Sequence, residues 1–181
     1  MNMNFNRLLS MLKLPRITII ATTTMAVSIF INAFTITTSA QTVEDSTEVL
    51  EQVEKYRSVW NTHNAPALAE FFTEDADFIM GNLPLINGRE GIQNWWQNYF
   101  NVQEPERKLM IDVISLRIIA PDVALINVGT TTGGKDNQGK DLIARKARGT
   151  WVLLKQNDNW FIVAMRGMPT EEDKIIRNFD N

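Results

Sequence analysis

The order of amphipathic patterns constrains the fold of this chain more than any other feature of its sequence. Apolar residues recur at helical spacing in three segments between residues 49 and 100, and a short strand pair separates the second segment from the third. Four long strand-like segments follow, joined by turns that are short enough for antiparallel neighbours. Helices followed by a long antiparallel-rich β-sheet predict an α+β domain. In such a domain, a curved sheet wraps around the helices and leaves an internal pocket.

The first helix is predicted from one apolar stripe that follows a polar lead-in at residues 42–47. Asp45 and Glu48 have the spacing of a capping box, which predicts that the helix begins near them. The stripe consists of Val49, Val53, Tyr56 and Trp60. Apolar residues at this spacing indicate a helix with one buried face.

A short second helix and a third helix are predicted further along. Asn64 is a suitable N-cap for the second helix and Pro66 fits its first turn, while Leu68, Phe71 and Phe72 are expected to form its buried side. Residues 77–80 and 84–86 are predicted to form a hairpin, after which Asn87 or Gly88 caps the third helix. The third helix has a heavy apolar face made of Ile92, Trp95, Trp96, Tyr99 and Phe100.

The four long strands are predicted at about residues 108–119, 123–132, 141–156 and 160–168. Alternation in the third of them assigns its two faces. The pocket side is expected to carry Arg145, Ala147, Gly149, Trp151 and Leu153. An arginine on that face needs a partner or a place at the mouth of the pocket.

Residues 1–40 have the organisation of a signal peptide. Arg7, Lys13 and Arg16 precede an uncharged segment at residues 17–36, and small residues end at Ala40, just before Gln41. We expect cleavage after Ala40, a domain at residues 41–181, and a secreted or periplasmic protein without stable membrane association. The alternative is an uncleaved anchor, because about 20 uncharged residues can span a bilayer.

Charge and composition argue against several classes of partner. Three of the 18 basic residues lie in the predicted signal peptide, so 15 basic residues face 21 acidic residues in the remainder, a net charge of −6. This balance argues against nucleic acid and anionic membranes as partners. The chain has no cysteine and one histidine, which argues against zinc and iron–sulfur sites, and no cofactor motif is present. We therefore expect neither a metal nor a cofactor.

The segment at residues 56–92 resembles the nuclear transport factor 2-like superfamily, and in particular its SnoaL-like and ketosteroid-isomerase-like branch. Its Trp60-Asn61-Thr62-His63-Asn64 turn is similar to that of SgcJ/EcaC-type members, in which Trp-Asn-x-His-Asp is frequent. Asn64 departs from that pattern because it lacks the carboxylate. The resemblance implies an α+β cone with a pocket. It also implies a homodimer through the convex sheet faces, where Val152 and Leu154 are apolar.

The resemblance does not carry the isomerase mechanism to this chain. The tyrosine that polarises the substrate carbonyl in ketosteroid isomerases coincides with Tyr56, but their general base falls on Met80 and their protonated acid on Thr150 or Trp151. A thioether cannot abstract a proton. Tyr56 and His63 remain the candidate catalytic residues. The alternatives are that Tyr56 is a core residue with its hydroxyl bonded to the backbone and that His63 packs in a turn.

Two functions remain open. One is an exported protein that binds a mostly apolar ligand with one anionic or carbonyl end; the other is a small SgcJ/EcaC-type oxidoreductase or cyclase/isomerase-like enzyme acting on a hydrophobic carbonyl compound. Arg166, in an otherwise apolar strand, needs a carboxylate, carbonyl groups or an anionic ligand, unless it pairs at the sheet edge or in a dimer interface. The predicted ligand-contacting residues are Trp60, Phe78, Met80, Trp95, Arg145, Trp151 and Arg166.

Overall fold

The computed structural model describes residues 41–170, so the predicted signal peptide at residues 1–40 and the tail at residues 171–181 lie outside it. Residues 42–170 belong to one compact unit. Residues 41–60 are helical and are called α1. The other elements are α2 (Ala65–Ala69), β1 (Phe72–Met80), β2 (Ile86–Asn87), α3 (Gly88–Val102), β3 (Lys108–Ala120), β4 (Val123–Lys135), β5 (Asp141–Gln156) and β6 (Asn159–Pro169).

Helix α1 confirms the predicted stripe but not the predicted helix start. Val49, Val53, Tyr56 and Trp60 are all buried. The prediction that a polar lead-in at residues 42–47 precedes the helix, with a capping box at its start, was wrong. Residues 41–47 are already helical, and Asp45 is 1% exposed within the helix. Asp45 and Glu48 lie one turn apart and both bind the ammonium of Lys155 on β5, at 2.8 Å each. The acidic pair therefore joins the helix to the sheet.

Asn64 caps α2 as predicted, because its Oδ1 accepts a hydrogen bond from the backbone N–H of Ala67. The helix ends at Ala69, so Phe71 and Phe72 are not on it as predicted. Phe72 begins β1 instead and is fully buried there. Since a strand and a helix can both bury a phenylalanine, apolar pattern alone did not locate this boundary.

Helix α3 directs its aromatic face at the core. Asn87 is the N-cap residue, although its side chain makes no capping bond. Ile92, Trp96 and Phe100 are buried. Trp95 and Tyr99 pack against them while remaining partly exposed. Their indole and phenol rings therefore border the space between helix and sheet.

The six strands form one mixed, curved sheet in the order β2-β1-β6-β5-β4-β3. The four long strands are antiparallel neighbours, as predicted, and their ends differ from the prediction by three residues or fewer. The predicted hairpin exists as the pair β1–β2, although β1 begins five residues earlier. β1 then runs parallel to β6, which closes the sheet against the helices.

The concave face of the sheet carries the core. Trp151 and Leu153 on β5 are buried, which confirms the predicted facing of that strand. Gly149 is needed there, because a Cβ at this position would lie 3.0 Å from the carbonyl oxygen of Arg166. None of the helices within residues 41–170 is both long and apolar enough to cross a membrane.

Candidate functional site

A cavity of about 600 Å³ lies between the helices and the concave face of the sheet. This volume is within the range of small-molecule pockets. Its wall is mainly apolar and aromatic. The apolar lining residues include Tyr56, Trp60, Met80, Trp95, Trp96, Tyr99, Leu109, Val128, Trp151 and Met165.

Two aromatic side chains of the cavity wall carry a hydrogen-bond donor that has no acceptor in residues 41–170. The hydroxyl of Tyr56 makes no hydrogen bond there, and its ring packs on Phe71 and Trp151 at centroid distances of 5.5 and 4.9 Å. Burial raises the pKa of Tyr56 well above its ordinary value, so the phenol stays neutral. The indole Nε1 of Trp96 is also buried without an acceptor in this part of the chain. The Tyr56 hydroxyl can therefore donate to a carbonyl oxygen of a molecule in the cavity.

One cluster of ionisable groups in the cavity surrounds Arg107, just before β3. Arg107 is 1% exposed, and its Nε donates to Glu104 Oε2 at 2.8 Å. Its Nη1 donates to the carbonyl oxygens of Thr132 on β4, at 3.3 Å, and Ile143 on β5, at 2.9 Å. The hydrogen bond from Arg107, aided by the charge of Arg145, lowers the pKa of Glu104 to about 2. Glu104 is therefore an anion at neutral pH.

Arg145 lines the same cavity, as predicted from its position in β5. Its Nη1 donates to the side-chain oxygen of Gln103 at 2.6 Å. Arg145 also pairs across the sheet with Thr132, whose carbonyl oxygen binds Arg107. The two guanidinium groups are thus held against the same part of β4. Sequence reasoning missed Glu104 and Arg107, because no periodic pattern marks a linker residue as buried.

The Asn61 to His63 turn holds this region in place. Asn61 Oδ1 accepts from the backbone N–H of Leu109 at 2.7 Å, and its Nδ2 donates to the Leu109 carbonyl oxygen at 3.2 Å. His63 Nε2 lies 3.0 Å from the carbonyl oxygen of Arg107, which can only accept, so Nε2 carries the proton. The imidazole stacks on Phe100 at 4.8 Å. The turn therefore positions Arg107 and the start of β3.

Arg166 directs its side chain away from the cavity. Its Nη1 binds Asp77 Oδ1 at 2.6 Å, and both side chains are partly exposed. Arg166 pairs in the sheet with Thr150, whose hydroxyl donates to Asn127 Oδ1 on the outer face. Arg166 thus has the carboxylate partner that was one of the expected alternatives. It borders the cavity as part of β6.

The structure brings most of the predicted site residues together. Those lining the cavity are Tyr56, Trp60, Met80, Trp95, Arg145, Trp151 and Arg166. Phe78 is fully buried behind Trp95 and Trp96, with ring centroids 4.8 and 5.7 Å away, and does not line the cavity. His63 does not line it either. Within residues 41–170, no cluster of three or more histidine, aspartate or glutamate side chains could hold a metal ion.

The curved sheet, the helices on its concave side and the cavity between them define an α+β cone of the nuclear transport factor 2-like type. Residues 53–160 match the model of the SnoaL-like domain. The chain belongs to this family. No protein of curated function matches the sequence.

Solved structures share the fold at low sequence identity. A nuclear transport factor 2-like protein with a cystatin-like fold from Novosphingobium aromaticivorans is 16% identical, with a TM-score of 0.67 over 79% of this chain and 93% of that one. A ketosteroid isomerase-like protein from Erwinia carotovora atroseptica is 12% identical, with a TM-score of 0.58 over 69% and 95%. A type 2 hexachlorocyclohexane dehydrochlorinase is 14% identical, with a TM-score of 0.63 over 73% and 88%. These likenesses establish the fold alone.

Proposed function

We propose that the cavity binds a small, mostly apolar molecule that carries one anionic or carbonyl end. The observation that carries this proposal is a cavity of about 600 Å³ with a mainly aromatic and apolar wall, whose charged lining residues are all cations except Glu104. Such a wall removes an apolar body from water favourably, whereas a sugar or nucleotide would lose hydration at most of its polar groups. Polar groups of the cavity then orient the ligand's one polar end.

Native mass spectrometry of the protein purified from its host tests this function by looking for a retained small molecule. Ala147 lines the cavity, and Ala147→Phe should displace the ligand by filling part of the space. Ala144→Phe is the matched control, because Ala144 is an exposed residue on the same strand and does not line the cavity. Equal ligand retention by both variants, or recovery of a sugar or nucleotide, would refute the proposal.

The alternative function is an enzyme acting on a hydrophobic carbonyl compound. Tyr56 favours it, because its unpartnered hydroxyl can polarise a carbonyl oxygen of a molecule in the cavity. Glu104 is the one carboxylate among the lining residues described, and its lowered pKa makes it a weak base. Tyr56→Phe should abolish turnover on this alternative and retain ligand on the binding function. Turnover that survives Tyr56→Phe would exclude the tyrosine from catalysis.

We also propose that the protein is exported and cleaved after Ala40. The basic start, the uncharged segment and the small residues before Gln41 support this proposal. The net charge of −6 in the remainder supports the absence of nucleic acid and anionic membrane partners. Mass spectrometry of the N-terminus should find Gln41, and an intact Met1 in the membrane fraction would favour the anchor.

A homodimer through the outer sheet face is proposed on the exposure of apolar side chains there. Met110, Ile114 and Met168 are 54%, 61% and 67% exposed. Contiguous exposed apolar area on a small domain is typical of an association surface. Ile114→Glu should convert a dimer to a monomer in light scattering. Val102→Glu should not, although Val102 at the end of α3 is 78% exposed. A wild-type monomer at micromolar concentration would refute the dimer.

A further inference from the structure

Arg107 is buried with part of its guanidinium unused. A guanidinium has five N–H donors. Its Nε is bonded to Glu104, and its Nη1 is bonded to two backbone carbonyl oxygens. Its Nη2 has no acceptor in residues 41–170, although the side chain is 1% exposed and the residue lines the cavity. An unpartnered Nη2 edge on an otherwise buried guanidinium beside the cavity is suited to a ligand that accepts hydrogen bonds.

The charges around Arg107 do not cancel. Arg107 and Arg145 both line the cavity, and Glu104 is the one acidic residue among the described lining residues. Lys146 and Arg148 also border the cavity, but from exposed β5 positions that alternate with Arg145. Arg145 binds the neutral side chain of Gln103 rather than a carboxylate. Two cations beside one anion leave a single positive charge, in a place where apolar walls strengthen its field. One negative charge on a ligand would neutralise the cluster.

We propose that the Nη2 edge of Arg107 and the guanidinium of Arg145 form a subsite for the carboxylate of a monoanionic, otherwise apolar ligand. This inference rests on the proposed ligand-binding function and names the polar end of the ligand. A carboxylate presents two oxygens in one plane, and guanidinium groups match that geometry. The ligand's apolar body then lies against the aromatic wall. Arg166, which is bonded to Asp77, takes no part in this subsite.

A matched pair of probes tests the subsite. Octanoate and 1-octanol have the same chain length, and octanoate is ionised at pH 7.5, because a carboxyl group ordinarily titrates at about 4 to 5. Isothermal titration calorimetry on the wild-type protein should show octanoate binding at least about tenfold more tightly than octanol, since a hydrogen bond to a charged group is stronger than one between neutral groups. Arg145→Gln should remove most of this preference and leave octanol binding within about twofold of the wild type.

Two further variants sharpen the result. Arg117→Gln is the control for loss of one positive charge, because Arg117 is exposed and does not line the cavity; it should retain the preference. Glu104→Gln keeps a hydrogen-bond acceptor for Arg107 but removes the anion, so it should tighten octanoate binding. A structural role for the cluster would not produce that gain.

The outcomes separate the subsite from the wider function. If the wild type binds both probes equally, or if Arg145→Gln weakens both equally, the carboxylate subsite is wrong while the apolar cavity stands. If the wild type binds neither probe, the ligand-binding function is refuted and the subsite with it. Weaker octanoate binding in Glu104→Gln would also overturn the proposed charge balance.

Discussion

Asn61 should stabilise the domain by joining the end of α1 to the free edge of β3. β3 is the last strand of the sheet, and the Leu109 backbone N–H and carbonyl oxygen both bond to the Asn61 side chain, at 2.7 and 3.2 Å. Each intramolecular hydrogen bond contributes about 0.5–1.5 kcal/mol net. Because Asn61 is only partly buried, water can replace part of this pairing. We therefore expect Asn61→Ala to lower the free energy of unfolding by about 1 to 2 kcal/mol.

Asn61→Asp provides a pH-dependent test of the same geometry. At neutral pH its carboxylate can accept from the Leu109 N–H but cannot donate to the Leu109 carbonyl oxygen. The protonated acid can do both, so folding should raise the pKa of the introduced carboxyl group. The loss of stability relative to wild type should be present at pH 7. This loss should shrink as pH falls through the raised pKa of the folded state. It should be smallest below the pKa of the unfolded state, which is about 3.9.

Urea denaturation at a series of pH values measures both effects. Asn101→Ala is the control, because Asn101 is exposed near the end of α3 and should change stability by less than about 0.5 kcal/mol. If Asn61→Ala matches this control, the paired bonds to Leu109 do not stabilise the fold. A loss in Asn61→Asp that does not change with pH would show that its cause is not the missing donor.

Three other perturbations have expected outcomes. Lys155→Met should lower the free energy of unfolding, measured by urea denaturation, by about 3 kcal/mol or more, because the buried Asp45 loses its ammonium partner. A change below about 1 kcal/mol would contradict this expectation. Glu104 has a pKa lowered to about 2, so it contributes stability above its ordinary pKa of about 4.3 that is lost as pH falls. Glu104→Gln should therefore lose less stability than wild type between about pH 5 and pH 2, and equal acid sensitivity would count against the ion pair. Gly149→Ala should lower the free energy of unfolding by about 1–3 kcal/mol, because the added Cβ would lie 3.0 Å from the Arg166 carbonyl oxygen and 3.3 Å from Trp151 Nε1. An unchanged denaturation midpoint would show that β5 and β6 can move apart to accommodate the methyl group.

The candidate site was only partly predictable from sequence. Strand alternation correctly placed Arg145 with Trp151 on the concave face, because successive side chains of a strand point to opposite sides. The same rule did not identify Arg107, which precedes β3 in a linker without periodicity. The turn residues Asn61 and His63 were recognised as a motif. Their hydrogen bonds to β3 and to Arg107 span more than 40 residues, and no local pattern encodes them.

The sequence by itself determined the order of helices and strands, the buried stripe of α1 and the two faces of β5. These features follow from periods of 3.6 and 2, which are properties of neighbouring residues. Only the tertiary structure decided which charges meet. Arg166 binds Asp77, 89 residues earlier, and Lys155 binds Asp45, 110 residues earlier. Such pairs depend on how the sheet closes against α1 and β1. For this reason the cationic side chains proposed to bind a ligand are Arg107 and Arg145, whereas Arg166 is paired with Asp77.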